Sequence, residues 1–139
     1  MPLSTADELE ILELAARYNH AIDHREGEAW ADVFTDDGQL ITDGTVRAAG
    51  REGLLGHIRR AQASGQKVRH WICNPLIDGD GDSARLRMYV LAYVFTDGNI
   101  TPTIMGEYDD DLVRENGRWK FRTRRVTACG GDYPPHYGR

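Results

Sequence analysis

Apolar residues recur with a helical period at the start of the chain and with a strand period from about residue 67 onward. In the first stretch Ile11, Leu14, Ala15, Tyr18 and Ile22 form one stripe, with Leu12, Ala16, Asn19 and Asp23 beside it. Ser4 or Thr5 can cap that helix, and Asp7 and Glu8 suit the positive end of its dipole. Charge rises at His24-Arg25-Glu26-Gly27, where the helix should stop. A second short helix is predicted over Glu28 to Phe34, followed by a turn at Thr35-Asp36-Asp37-Gly38. Gln39 to Thr42 and Val46 to Ala49 read as short strands around Asp43-Gly44. Gly50-Arg51-Glu52-Gly53 then opens a helix carrying Leu54, Leu55, Ile58 and Ala61, which ends near Ser64-Gly65.

The second half alternates. Lys67 to Ile77, Ala84 to Phe95, Ile100 to Val113 and Arg118 to Thr127 are long β-rich runs. The turn sequences Gly79-Asp80-Gly81-Asp82, Asp97-Gly98 and Asn116-Gly117 separate them, which predicts an antiparallel meander. The tail from Gly130 to Pro135 reads as irregular. Helices first and a long sheet afterwards is an α+β arrangement. No repeat or linker interrupts it, so residues 1–139 are expected to form a single domain, a sheet curled over a helix into a cone. The mouth of such a cone is a natural small-molecule pocket.

Composition narrows the partners. The chain is 40% hydrophobic and 28% charged, with a formal net charge of -5, which argues against nucleic acid or an anionic membrane. Arg118, Lys120, Arg122, Arg124 and Arg125 cluster near the end, and the simplest expectation is one solvated strand face. Cys73 and Cys129 lack C-x-x-C spacing and are expected to be reduced. No basic and apolar leader and no apolar run of membrane-spanning length is visible, so a soluble cytoplasmic protein is expected.

One stretch carries candidate chemistry. In Val68-Arg69-His70-Trp71-Ile72-Cys73-Asn74, alternation groups Val68, His70, Ile72 and Asn74 on one face and Arg69, Trp71 and Cys73 on the other. A histidine between two β-branched residues of one face points inward, where its imidazole needs a partner.

The order of motifs along the chain resembles the SnoaL-like branch of the NTF2-like superfamily. The resemblance rests on Leu14, Tyr18 and Asp23, then Trp30, Phe34, Asp37 and Gly38, then Gly50-Arg51-Glu52-Gly53. It continues through Arg69-His70, Gly106, Tyr108, Leu112-Val113 and Gly117-Arg118-Trp119-Lys120-Phe121. It implies a cone-shaped α+β barrel with N-terminal helices packed on a curved, mostly antiparallel sheet. Scytalone dehydratase, bile-acid 7α-dehydratase and hexachlorocyclohexane dehydrochlorinase of this superfamily use an Asp–His pair, and the positions of Asp23 and His70 match it. Arg124 matches an arginine that follows the last-strand tryptophan in these relatives. Strict alternation, however, sets Arg124 opposite Trp119 and Thr123, and only a bulge would turn it inward. A second pocket histidine of the scytalone type is missing, and Tyr89 or Tyr93 occupies that part of the chain.

An elimination needs a base near a weakly acidic C–H and a stabiliser for the leaving group. His70 would be the base, with Asp23 holding its other nitrogen. Tyr18 would donate a hydrogen bond, Arg124 would balance developing charge, and Asn74, Tyr89 and Tyr93 would contact substrate. The expected activity is a cofactor-independent lyase or isomerase on a small hydrophobic, ring-containing or carbonyl-bearing molecule. The alternatives are a non-catalytic binding or assembly subunit, or a polyketide-cyclase-like or epoxide-hydrolase-like enzyme. No cofactor and no metal are expected. His20 and His24 stand at i, i+4 without a third ligand, and Asp109-Asp110-Asp111 reads as a charged strand segment. The simplest role for Trp30, Trp71 and Trp119 is packing. A homodimer or homotrimer is expected, because the outer face of such a sheet needs covering.

Overall fold

A computed structural model describes residues 1–129. Three helices and six strands follow in the order α1 (Thr5–Asp23), α2 (Gly27–Asp32), β1 (Phe34–Thr42), β2 (Thr45–Ala49), α3 (Gly50–Ala63), β3 (Lys67–Asp80), β4 (Ser83–Thr96), β5 (Asn99–Glu115) and β6 (Arg118–Ala128). The expected α+β segregation holds. The irregular tail expected from Gly130 onward lies outside the described residues. Among the described residues, no helix is long and apolar enough to cross a membrane.

The helix start is tied to the far end of the sheet. Ser4 Oγ accepts from the Asp7 backbone N–H, and the Asp7 carboxylate accepts from the Ser4 N–H, which closes a capping box. The other Asp7 oxygen accepts from Trp119 Nε1 at 3.1 Å and Arg114 Nη1 at 2.7 Å. Hydrogen bonds from Ser4, then Trp119, with the charge of Arg114, hold the Asp7 carboxyl well below the usual range. One side chain thus caps α1 and fixes it against the β5–β6 hairpin.

The sheet runs β2-β1-β6-β5-β4-β3, antiparallel throughout except for the parallel pair β1–β6. It does not close into a barrel, so β2 and β3 are edges. The helices cover one face. There Ile11, Tyr18, Trp30, Leu54 and Ile58 pack on Leu86, Val90, Leu112 and Phe121, all nearly or fully buried.

Three local expectations change. The turn predicted at residues 35–38 is strand: α2 ends at Asp32, and Phe34 opens β1. Its pairing to β6 shifts between Phe34 and Gln39, where Gly38 lies so close to Phe34 that a Cβ would stand 2.7 Å from that residue's own. The chain therefore kinks without leaving the sheet, and only glycine fits the kink. Trp71 is not a packing residue, being 56% exposed on the face away from the helices, whereas Trp30 and Trp119 are buried. In β6 the solvated basic face includes Arg122 but not Arg124. The β5–β6 register slips between Asp111 and Leu112, so Thr123 faces Asp111 while Phe121 faces Leu112. The extra residue, Arg122, turns Arg124 inward beside Phe121. The acidic run Asp109-Asp110-Asp111 is spent on arginines: Arg85, Arg124 and Arg125 respectively.

Candidate active site

The end of α1 meets the start of β3. Asp23 is the last residue of α1, where the helix gives way to Arg25 in a left-handed conformation (φ 59). His70 stands opposite Ala92 of β4, in the inward-facing series with Val68 and Ile72. His70 Nδ1 lies 2.5 Å from Asp23 Oδ1, and the His70 backbone N–H donates to Asp23 Oδ2 at 3.0 Å. Both oxygens therefore hold one residue, 47 positions away. The second bond has a plain cause: β3 is an edge, its outward N–H groups have no neighbouring strand, and Asp23 satisfies one of them. Facing an ionised carboxylate, Nδ1 carries the ring proton and donates it, which leaves Nε2 as the acceptor. The side chains are 11% and 6% exposed.

Deeper under the same face lies a second acid–base pair. Arg124 donates from Nε and Nη2 to the two oxygens of Asp110, at 2.9 and 2.6 Å, and both side chains are 0% exposed. Three rings surround the guanidinium, with centroids 3.8 Å (Tyr108), 4.2 Å (Tyr18) and 4.4 Å (Phe121) from Cζ. Nη1 has no hydrogen-bond partner among the described residues, so aromatic faces are its main company. Burial opposes charge on Arg124, but Asp110 and the two phenols outweigh it and raise its pKa. Burial raises the Asp110 carboxyl, and Arg124 opposes that rise. A guanidinium stays charged in proteins, and bidentate geometry fits an ionised carboxylate, so the two stand as an ion pair.

Tyr18 belongs to this deep cluster, with its ring against Arg124, Trp30 and Phe34. Burial, with help from Asp110 and against Arg124, pushes its phenol up to about 12, so it is a donor at neutral pH. Tyr108, which the sequence did not single out as a site residue, also belongs to the deep cluster. Its ring stacks on Arg124 and stands edge-on to Tyr18 at 6.2 Å, and its buried phenol, raised by desolvation first, also feels the Asp23 charge. Its inward position within β5 was the available signal.

The expected substrate contacts do not join these groups. Asn74 is exposed at a bulge (φ 56) where β3 slips against β4, which breaks the alternation that put it with His70. Tyr89 is 50% exposed, and Tyr93 stands edge-on to Trp71, so both lie on the outer face. Asn74 and Tyr89 instead line an outer cleft of about 340 Å³ with Leu76 and Arg87. A larger cleft of about 730 Å³ runs between α1, α2 and the β5–β6 turn, over Leu14, Arg17, His20 and Trp119. Neither cleft is lined by Asp23 or His70.

Comparison with known proteins agrees with this architecture. A function-unknown protein from Mycobacterium tuberculosis is 34% identical with a TM-score of 0.80, over 88% of this chain and 75% of that one. A protein of unknown function with a cystatin-like fold from Nostoc punctiforme is 26% identical (TM-score 0.81), covering 98% and 97% of the two chains. A Catenulispora acidiphila protein in complex with S-DNPA is 28% identical (TM-score 0.81), covering 90% and 95%. No curated protein matches the chain. The SnoaL-like family includes polyketide cyclases and ring-modifying enzymes. The model of the SnoaL-like domain matches residues 4–125, and with the cystatin-like NTF2 fold of its neighbours this chain belongs to the SnoaL-like family.

Proposed function

We propose that the protein is a cofactor-independent lyase or isomerase, with His70 as general base and Asp23 as its orienting partner. The observation that carries this is the two-point hold of Asp23 on His70, which sets the tautomer and leaves Nε2 free to accept a proton. In an elimination, Nε2 takes a proton from a carbon next to a carbonyl or ring activating group. The C–H electrons form the double bond, the neighbouring C–O bond breaks, and the departing oxygen takes the proton back from the His70 imidazolium and leaves as water, which returns the ring to its neutral form. Asp23 stabilises the imidazolium meanwhile. Tyr18, still protonated, donates a hydrogen bond toward developing oxyanion charge. Arg124 is committed to Asp110 and acts as a positioning residue behind Tyr18 and Tyr108. The substrate class is a small hydrophobic molecule with a ring or carbonyl, in line with a family that modifies rings.

The test is a panel of hydroxy-carbonyl and polycyclic ketone compounds assayed for loss of water or double-bond migration. The wild-type chain is expected to turn over a member that His70→Ala and Asp23→Asn leave unreacted. Equal turnover by all three proteins would reject the dyad as catalytic. One observation favours a second reading, a non-catalytic binding subunit: Asp23 also satisfies the edge backbone of β3, and neither cleft reaches the pair. On that reading His70→Ala binds ligands unchanged.

A further inference from the structure

We propose that Asn19 is a specificity-determining residue of the dyad site, accepting a hydrogen bond from a hydroxyl or N–H that the substrate retains. This role rests on the same site at Asp23 and His70, and it narrows the substrate to a carbonyl-bearing ring with a second polar hydrogen.

Asn19 is 5% exposed, and its Oδ1 has no hydrogen-bond partner among the described residues. Two other buried side-chain atoms share that condition, Trp30 Nε1 and Arg124 Nη1, and both are donors. Rings stand around each: Tyr18, Phe34 and His57 about Trp30, and Tyr18, Tyr108 and Phe121 about Arg124. The negative face of a ring can take an N–H, but it repels a carbonyl oxygen. Asn19 Oδ1 is therefore the orphan that the aromatic core does not accommodate. A buried acceptor without a donor is costly, and a ligand that supplies the donor removes that cost.

Position ties this oxygen to the dyad. α1 and β3 run antiparallel and in contact: Pro2 and Leu3 meet Asp80 and Gly79 at one end, and Asp23 binds His70 at the other. At about 1.5 Å per helical residue and about 3.3 Å per strand residue, Leu3 to Asp23 and His70 to Gly79 each span about 30 Å. The two elements therefore keep level along their length. One helical turn before Asp23, about 6 Å, Asn19 stands level with Ile72, the next inward residue of β3 after His70. At i, i+4 it shares the β3-facing flank of α1 with Asp23, while Leu14 and Ala21 line the cleft on the α2 side. Tyr18 is its chain neighbour. A molecule at this level meets an acceptor, Asn19 Oδ1, and a donor, the Tyr18 phenol, one layer from His70 Nε2. A carbonyl suits Tyr18, a hydroxyl or N–H suits Asn19, and the acidic C–H is left for His70.

Isothermal calorimetry with coumarin and its 4-, 6- and 7-hydroxy derivatives reads this preference without turnover. The wild-type chain is expected to bind at least one hydroxycoumarin about tenfold tighter than coumarin. Asn19→Leu, and Asn19→Ala, which adds no bulk, should each bring that ratio to within about twofold. A merely structural asparagine would change both ligands alike and leave the ratio where it was. Equal turnover by the wild type and His70→Ala, with the hydroxyl preference intact, would reject the dyad chemistry and still support the role of Asn19. A wild type without preference for any hydroxycoumarin, or a preference that survives both substitutions, would overturn the proposal.

Discussion

Two acid–base pairs share the helix-covered face of this sheet, and their difference separates structure from chemistry. Arg124 and Asp110 sit on neighbouring strands in the core, with both carboxylate oxygens and two guanidinium nitrogens engaged and rings closing the rest. That pair is closed to solvent, although its third guanidinium nitrogen, Nη1, has no hydrogen-bond partner among the described residues. Asp23 and His70 come from a helix end and an edge strand, keep slight exposure and leave one ring nitrogen uncommitted. A bidentate pair sealed in the core locks packing. A pair with one open position can move a proton.

The deep pair is where the largest effect is expected. Asp110→Ala should lower unfolding free energy by about 3–5 kcal/mol in urea titration, because it strands a buried guanidinium. Asp110→Leu combined with Arg124→Met should recover most of that loss, since the cost lies in the uncompensated charge. A loss below about 1 kcal/mol for Asp110→Ala would remove the contrast with the dyad.

The dyad should behave in the opposite way. With a reactive substrate in hand, His70→Ala is expected to cut turnover about 10²–10⁴-fold. Its stability should fall by only about 1–3 kcal/mol, since Asp23 keeps its bond to the residue 70 backbone. Nitrogen NMR sharpens the point. The Nδ1-protonated tautomer of His70 should dominate in the wild type, and Asp23→Asn should erode that preference. An Nε2-protonated His70 in the wild type would make Nε2 a donor and overturn its role as base.

The smallest effect concerns a contrasting histidine. His57 stacks on Trp30 and is pushed below the usual value first by burial, then by Arg60, Arg25 and Arg47. The unfolded chain therefore takes up that proton at higher pH than the folded chain. Stability is full above the ordinary histidine value of 6.5 and declines as pH falls from there toward the lowered folded value. His57→Gln should flatten this limb in chemical denaturation between pH 7 and 5. Asp7 and Asp109, both lowered by their hydrogen bonds, add a later loss that begins only as pH falls below 3.8.

Much of this was legible in the residues, for reasons that differ by element. The stripe from Ile11 to Ile22 and the Ser4–Asp7 cap predicted α1, because helical period and capping are local. The β-rich run from Ala84 to Phe95 predicted β4, but Tyr89 and Tyr93, expected to contact substrate, stand on its outer face. Those same rules failed wherever a strand took an extra residue. Asn74 was grouped with His70 and stands exposed, Arg124 was left on the wrong side by strict alternation, and residues 35–38 kink within a strand. A bulge inverts every later side chain, and strict alternation does not foresee where the register against the neighbouring strand slips.

By itself, then, the sequence determined the order of helices and strands, the inward face of His70 and, through resemblance, Asp23 as its partner. Only the tertiary structure decided that Arg124 is buried on Asp110, that Tyr108 packs on its guanidinium, and that Trp71 joins Leu91 and Met105 outside. The physical reason is range. Periodicity and capping act within a few residues, whereas bulges and charge pairs are set by strands that meet only once the sheet has formed.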